Sequence, residues 1–123
     1  MIPSQMLKGT LEGCILAIIQ KKETYGYEIA QQLEHYGFGK IAEGTIYPLL
    51  LRLEKNQCLT AMLRQSEVGP KRKYYSLTPQ GEAELALFIQ SYQELTSAVD
   101  RLLQDQERSE NHDQEDQTTA ARE

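Results

Sequence analysis

The sequence has no tryptophan, only two cysteines and no long apolar run. A membrane helix needs about 20 consecutive apolar residues, so we expect none, and the first residues do not resemble a signal peptide. Cys14 and Cys58 lie far apart and form no zinc-type cluster with His35 or His112. We therefore expect a cytoplasmic protein with free thiols, no metal and no other cofactor.

Arrangements of residues that support catalysis are also scarce. The sequence offers no nucleophile paired with a base, and Gly37-Phe38-Gly39 is too short to cradle a phosphate in the usual way. Glu82 and Glu84 occupy positions of a predicted helix that do not converge on one point. We therefore expect a protein that is not an enzyme.

Positive charge is scarce over the whole chain, whose net charge is −5, but it is unevenly distributed. Residues 1–78 contain ten Lys and Arg against seven Asp and Glu, a net charge of +3. Residues 79–123 contain three against eleven, a net charge of −8. The first part is the candidate for contact with an anionic partner, although +3 is also typical of an ordinary solvated surface.

Apolar residues at helical spacing predict two helices in the first 40 residues. The first spans Met6–Gln20 and is apolar over most of its circumference, which is typical of a helix buried in a core or against a partner chain. The second begins near Tyr25, with Thr24 as its N-cap, and stops at Gly37 and Gly39.

A third helix and two strands follow. The third helix begins between Glu43 and Thr45, because Pro48 is tolerated only near a helix start, and it ends near Lys55. Period-two alternation predicts strands over residues 59–64 and 73–77, joined by turn-forming residues 66–70.

The last predicted helix opens at Thr78-Pro79, a cap followed by a proline in the first helical position. Its apolar residues step by three and four, as in a heptad repeat. After Gln104 the chain has no Leu, Ile, Val, Met or aromatic residue, and we expect it to be disordered. The predicted organisation is a first domain over 1–77, a dimerisation helix over 78–104 and a disordered acidic tail over 105–123.

The order of these elements predicts a mainly α fold with a small β-hairpin, a winged helix-turn-helix followed by a C-terminal dimerisation helix. In that architecture the third helix enters the major groove of DNA and the hairpin touches the backbone or minor groove. The outward residues of the third helix and the basic return strand can bind phosphates and base edges. These candidates are Gly44, Thr45, Tyr47, Pro48, Arg52, Lys55, Lys71, Arg72 and Lys73.

A second interpretation of the same residues involves no DNA. Tyr47 would cover an edge of the core, Arg52 would be solvated, and the run Lys71-Arg72-Lys73 would only increase solubility. A basic run on a hairpin beside a helix-turn-helix favours phosphate contact over this alternative.

Four segments of the chain form a recognisable series: Leu7–Leu11, Tyr25–Ile29, Glu43–Pro48 with Leu53-Glu54 following, and Gly69–Thr78. In this order they resemble the PadR family of winged-helix repressors. The resemblance covers about residues 5–103 and implies a DNA-binding repressor with an N-terminal winged helix and one C-terminal dimerisation helix, as in the family's smaller subgroup.

Carried over by position, the resemblance implies that Thr45 and Tyr47 face the groove and that Lys71 to Lys73 form the wing contact. It also implies that Tyr25 and Gly26 touch the DNA backbone. Two positions depart from the pattern. Gln57 precedes Cys58 where the family usually has glycine and a large apolar residue, and Leu51 is apolar on a face expected to be polar.

Dimerisation is expected on physical grounds as well, because little sequence remains to cover the heptad stripe and the outer faces of the first helix. A twofold dimer would place two third helices about one DNA turn apart. The alternative, a last helix folded back on its own domain, leaves its far end exposed. The predicted interface consists of Leu7, Leu11, Cys14, Ile18, Leu85, Phe88, Tyr92, Leu95, Val99 and Leu102.

The resemblance further implies a response to a small aromatic or hydrophobic effector. Phe88 and Tyr92 either line a cavity at the dimer interface or pack in the core, and Cys14 is either a redox sensor or an inert buried thiol. The leading hypothesis is a homodimeric repressor that binds a palindromic operator and is released by such an effector. The alternative is a winged-helix protein-interaction module that does not bind DNA.

Overall fold

The computed structural model describes residues 1–120, and two helices occupy the place of the single helix predicted over Met6–Gln20. α1 spans Ser4–Leu7 and α2 spans Leu11–Lys21. Gly9 separates them with a φ of +95°, a conformation that glycine adopts without strain. The prediction of one continuous helix is therefore wrong at residues 8–10.

α3 spans Gly26–His35 and ends before Gly37, as predicted, but Thr24 is not its N-cap. Thr24 is only 2% exposed and its backbone pairs with Tyr75: the two N···O distances are 3.3 and 2.7 Å. Tyr25 occupies the N-cap position instead. Threonine readily takes extended backbone, and here an available neighbouring strand decides its conformation.

α4 spans Glu43–Lys55 and begins in the predicted range. Pro48 lies in its second turn on the exposed side, where its missing N–H leaves the carbonyl of Gly44 without a helical partner. Because Gly44 is also exposed, water can satisfy that carbonyl, and the helix continues past the proline.

The predicted hairpin is confirmed. β1 spans Leu59–Arg64, β2 spans Arg72–Leu77, and the two strands pair antiparallel from Leu59↔Leu77 to Arg64↔Arg72. α5 then starts at Pro79, and the N–H of Gly81 donates to Oγ1 of Thr78 at 2.9 Å. Thr78 is therefore the cap that the sequence predicted.

The chain divides into two compact units, Met1–Phe88 and Ile89–Glu123. The core of the first unit lies where α2, α3, α4 and β2 pack together. Each fully buried aliphatic side chain there contributes about 1.5–3 kcal/mol. The core residues with almost no exposure include Ile15, Ile29, Leu33, Ile46, Leu50, Tyr75 and Leu85.

Four residues predicted for the dimer interface belong to this core. Leu7, Leu11, Ile18 and Leu85 are all buried within their own chain. Leu11 and Ile18 lie on α2, whose apolar circumference is covered by α3, α4 and β2, and Leu7 and Leu85 belong to the same buried cluster. Their assignment to the dimer interface is therefore corrected.

In the second unit, α5 continues to Ala120, beyond the end predicted at Gln104. The residues after Gln104 include no Leu, Ile, Val, Met, Phe or Tyr, but they include many Gln and Glu, which have good helix propensity. The expectation of disorder thus differs from the structure over 105–120, and its last part, residues 121–123, lies outside the described residues. None of the described helices is long and apolar enough to cross a membrane.

Candidate nucleic-acid interface

One side of α4 is exposed along the whole helix. Ile46, Leu50 and Leu53 face the core, and the opposite side is left to solvent. The structure thus places every outward residue predicted on this helix at the surface. The exposed residues between Gly44 and Lys55 are Gly44, Thr45, Tyr47, Pro48, Leu51, Arg52 and Lys55.

Arg52 is not a free cation. Its guanidinium forms an ion pair with Glu12 of α2, forty residues away in sequence. The carboxylate already neutralises much of the charge that was predicted to bind phosphate. Lys55, by contrast, has no ion pair within the described residues, so it is the available cation of α4.

Tyr47 lies at the edge of the exposed side and packs over the backbone of Gly26, the first residue of α3. The side of Tyr47 that does not touch Gly26 reaches solvent, and the residue is 43% exposed. Both interpretations of Tyr47 therefore apply in part, since it covers an edge and also faces outward. Gly26 is buried, so its predicted contact with the DNA backbone is corrected.

The three consecutive cations of the hairpin have three different environments. Lys71 is exposed and has no ion pair within the described residues. The guanidinium carbon of Arg72 lies 4.5 Å from the ring centroid of Tyr25. Lys73 points to the other face of the strand, where its Nζ lies 2.9 Å from a carboxylate oxygen of Glu54. This hydrogen bond raises the pKa of Lys73 and makes its predicted role as a phosphate contact secondary.

Sequence reasoning missed a set of contacts on the face of the hairpin that carries Arg72. Arg64 forms an ion pair with Glu23, and its guanidinium carbon lies 5.1 Å from the ring centroid of Tyr74. The rings of Tyr74 and Tyr25 have centroids 5.2 Å apart and are tilted by 60°. Strand alternation would have revealed part of this set, because alternate residues of β2 share a face.

The thiols of both cysteines are wholly or partly buried in the first unit. Burial raises the pKa of the Cys58 thiol, with a further rise from the nearby carboxylates of Glu84 and Glu12. Burial also raises the pKa of Cys14, which favours the inert-thiol interpretation over a redox sensor. Among the side chains that the structure describes, no three of His, Cys, Asp or Glu are grouped so that they could hold a metal ion.

An open cavity of about 1080 Å³ lies beside α1 and the start of α4. Its apolar wall includes Leu11, Phe38, Ile41 and Leu49. Polar groups at the same cavity come from Lys8, Glu12, Lys40, Thr45 and Arg52. Because Thr45 and Leu49 belong to α4, a molecule in this cavity would touch the helix that carries the exposed candidate residues.

Residues 15–87 match the transcriptional regulator PadR-like family. The solved structure of a PadR-like transcriptional regulator from Bacillus cereus is 50% identical, covers 81% of this chain and 97% of its own, and superposes with a TM-score of 0.73. A Streptococcus transcriptional regulator is 48% identical over 81% of this chain and 98% of its own, with a TM-score of 0.72.

A transcriptional regulator from Mycobacterium tuberculosis is 34% identical over 77 residues, which are 63% of this chain and 70% of that protein. The winged-helix fold class and the resemblance inferred from four sequence segments are both confirmed by these matches. Because the family match covers more than half of its residues, the chain belongs to the PadR-like family and is a DNA-binding transcriptional regulator rather than an enzyme.

Proposed function

We propose that this protein is a repressor that binds a palindromic operator as a homodimer and is released by a small-molecule effector. The main support for DNA binding by α4 is the distribution of charge on and around its exposed side. The neighbouring carboxylates Glu12 and Glu54 are each paired with a cation. Apart from Glu43 at the start of the helix, the exposed residues of α4 include no carboxylate.

Among the side chains that the structure describes, the cations near this surface that have no carboxylate partner include Lys55, Lys71 and Arg72. They would neutralise phosphates, the sequence-independent source of affinity. Thr45, Tyr47, Pro48 and Leu51 offer a hydroxyl and apolar surface to base edges, including the methyl group of thymine. In this arrangement Tyr47 reads the sequence and Lys71 anchors the wing.

The homodimer is supported by the second unit. Leu95, Val99 and Leu102 are 57%, 43% and 67% exposed, at the three- and four-residue steps of a heptad. Such a stripe on an exposed helix favours a partner with the same repeat, and a second copy of the chain supplies it. A twofold dimer presents two copies of α4, which would match the two halves of a palindrome.

The effector is supported by the cavity beside α1. Its volume is about that of a small-molecule site, and Thr45 and Leu49 connect its wall to α4. A hydrophobic or aromatic molecule would bury its apolar part against Leu11, Phe38 and Ile41. Binding there would shift α4 and lower the affinity for the operator, which requires that the effector bind the DNA-free form more tightly.

Fluorescence anisotropy with two labelled duplexes tests this function. One duplex is the region upstream of the protein's own gene, and the other is a scrambled duplex of equal composition. We expect the protein to prefer the first by about 10³-fold or more at moderate salt. A lack of preference, with or without candidate effectors, together with capture of a protein partner, would support the protein-interaction alternative instead.

Two substitutions separate the roles of reading and anchoring. Tyr47→Ala should lose the preference for the upstream duplex. Lys71→Ala should weaken binding to both duplexes and reduce the slope of log affinity against log salt by about one. Wild-type behaviour of both variants would contradict the proposed docking of α4 and the hairpin.

A further inference from the structure

Thr24 forms an isolated β-bridge with Tyr75 of β2. Thr24 and Tyr75 pair antiparallel through two backbone hydrogen bonds. This register places Glu23 opposite Ser76 and Tyr25 opposite Tyr74, because residues on neighbouring antiparallel strands pair at a constant sum of their numbers. Thr24 and Tyr75 are buried on the inner face, so Glu23 and Tyr25 lie on the outer face with the alternate residues of β2.

The carboxylate of Glu23 joins both strands of the hairpin. Its Oε2 accepts a hydrogen bond from Oγ of Ser76 on β2 at 3.0 Å. Its Oε1 forms the ion pair with Arg64, the last residue of β1. Glu23 itself comes just before α3, so this one side chain connects the hairpin to the helical part of the unit.

Cations and aromatic rings continue from this carboxylate along the outer face. The guanidinium of Arg64 lies over Tyr74, Tyr74 lies against Tyr25, and the guanidinium of Arg72 lies over Tyr25. Cation–ring contacts of this kind contribute most when the groups are partly removed from water, and Tyr25 and Tyr74 are both half-buried. We call Glu23, Tyr25, Arg64, Arg72, Tyr74 and Ser76 the outer ladder.

The outer ladder also connects to α4 through a single residue. Tyr25 is followed directly by Gly26, against which Tyr47 of α4 packs. Arg72 and Tyr47 therefore both contact the same short segment, residues 23–26. These contacts act beside the ion pair that joins Lys73 of the hairpin directly to Glu54 of α4 on the other face.

We propose that Glu23 is a positioning residue for specific DNA binding, acting through Arg64 and the outer ladder to hold the hairpin at a fixed angle to α4. The proposal rests on the proposed function, because it assumes that α4 and the hairpin contact the same duplex. Specific binding requires both surfaces to fit at once, whereas non-specific binding requires mainly positive charge. Loss of Glu23 therefore affects the two kinds of binding differently.

If Glu23 acted only through its charge, its removal would have the opposite effect on DNA affinity. A carboxylate beside a DNA-binding surface repels phosphates, so removing its charge should tighten binding to every duplex. The positioning role predicts that the isosteric variant Glu23→Gln weakens binding to the upstream duplex about tenfold and leaves binding to the scrambled duplex equal or slightly tighter. The matched control is Glu67→Gln in the exposed hairpin turn, which removes the same charge from a residue with no ion pair in the described part of the chain.

The full-length wild type and these variants are compared by fluorescence anisotropy with both duplexes, and their thermal midpoints are recorded. The control Glu67→Gln should tighten both complexes slightly. The exchanged pair Glu23→Arg with Arg64→Glu should recover most of the preference that each single substitution loses, which would assign the effect to this ion pair. If Glu23→Gln unfolds, Ser76→Ala, which removes one contact of the same carboxylate, should show a smaller loss of the same kind.

The possible results separate the two proposals. A wild type without preference for the upstream duplex would overturn the proposed function and this inference together. A wild type with that preference, beside a Glu23→Gln variant that binds the upstream duplex as tightly or more tightly, would overturn only the positioning role. Failure of the exchanged pair to recover any preference would also count against it.

Discussion

The ring of Tyr47 lies against the backbone of Gly26 so closely that a methyl group on Gly26 would meet Cε1 of the ring at 2.8 Å. Any side chain at position 26 must therefore displace Tyr47. Because the displaced atoms are the far end of a half-exposed side chain, the ring can swing outward at small cost in folding stability. We predict that Gly26→Ala lowers affinity for the upstream duplex about tenfold while the thermal midpoint changes little.

Gly44→Ala is the control for this substitution. A Cβ on Gly44 would meet no atom within 4 Å, and alanine in a helix is about 1 kcal/mol more stable than glycine. Its thermal midpoint should rise. If Gly26→Ala binds the upstream duplex as the wild type does, the contact between Tyr47 and Gly26 does not matter for recognition.

Gln57 adopts the left-handed conformation just after α4, with a φ of +64°. The following N–H, of Cys58, donates to the carbonyl of Leu53 at 2.9 Å, which closes the helix end. This is the position at which the family resemblance implied a glycine. Because the conformation costs a non-glycine residue about 1–2 kcal/mol, we predict that Gln57→Gly raises the free energy of unfolding by about 1 kcal/mol.

Chemical denaturation at a fixed protein concentration measures this effect. Asn56→Gly is the matched control, since Asn56 has a φ of −82° and gains nothing from glycine. The control should be slightly less stable than the wild type. A Gln57→Gly variant no more stable than Asn56→Gly would contradict the assignment of strain to this residue.

The sequence predicted the elements whose causes are local. The Thr78-Pro79 start of α5, the alternation of β1 and β2 and the beginning of α4 each depend on neighbouring residues, and all three are present in the structure. The exposed side of α4 followed from helical periodicity alone. These features need no knowledge of what packs against them.

Features that depend on distant partners could not be predicted. Arg52 was expected to be free, but its partner Glu12 is forty residues away, and only the packing of α2 beside α4 brings them together. Thr24 has the chemistry of a cap, but pairing with Tyr75 determines its backbone. The departure from the family pattern at Gln57 was informative, because this residue has the left-handed backbone that ends α4.

Alkaline pH should destabilise the fold through Tyr75 and Lys73. Burial raises the pKa of Tyr75 above its ordinary value of 10.0, so the unfolded chain loses this proton first and is favoured as the pH rises above about 10. The hydrogen bond to Glu54 raises the pKa of Lys73 above 10.5, so its stabilising effect is complete below that value and is lost as the pH rises through the folded pKa. Both effects have the same sign.

We therefore predict that the free energy of unfolding begins to decline above about pH 9, where the thiols of Cys14 and Cys58 ionise first in the unfolded chain, and declines more steeply above about pH 10. Denaturant titrations at a series of pH values measure it. Tyr75→Phe should reduce the steepness of the decline, because phenylalanine has no proton to lose. Identical pH profiles for Tyr75→Phe and the wild type would remove Tyr75 from this explanation.

Two substitutions at Tyr25 distinguish two roles in DNA binding: holding Arg72 in place and touching DNA directly. If its ring holds Arg72 in place, Tyr25→Phe should bind the upstream duplex within about twofold of the wild type, and Tyr25→Leu should lose about tenfold, within the range of a cation–ring contact. If its hydroxyl instead touches DNA, as the family resemblance implied, both variants should lose affinity together. Fluorescence anisotropy of the three proteins under the same salt conditions distinguishes these cases.

Leu95 and Leu87 provide a matched test of the dimer. Their exposures in the single chain are 57% and 58%, but only Leu95 belongs to the heptad stripe. A charge on the stripe would have to be buried between two helices, at a cost of several kcal/mol. We predict that Leu95→Glu is monomeric at micromolar concentration by light scattering and loses preference for the upstream duplex, whereas Leu87→Glu remains dimeric. A monomeric wild type, or equal behaviour of the two variants, would contradict the proposed pairing of α5.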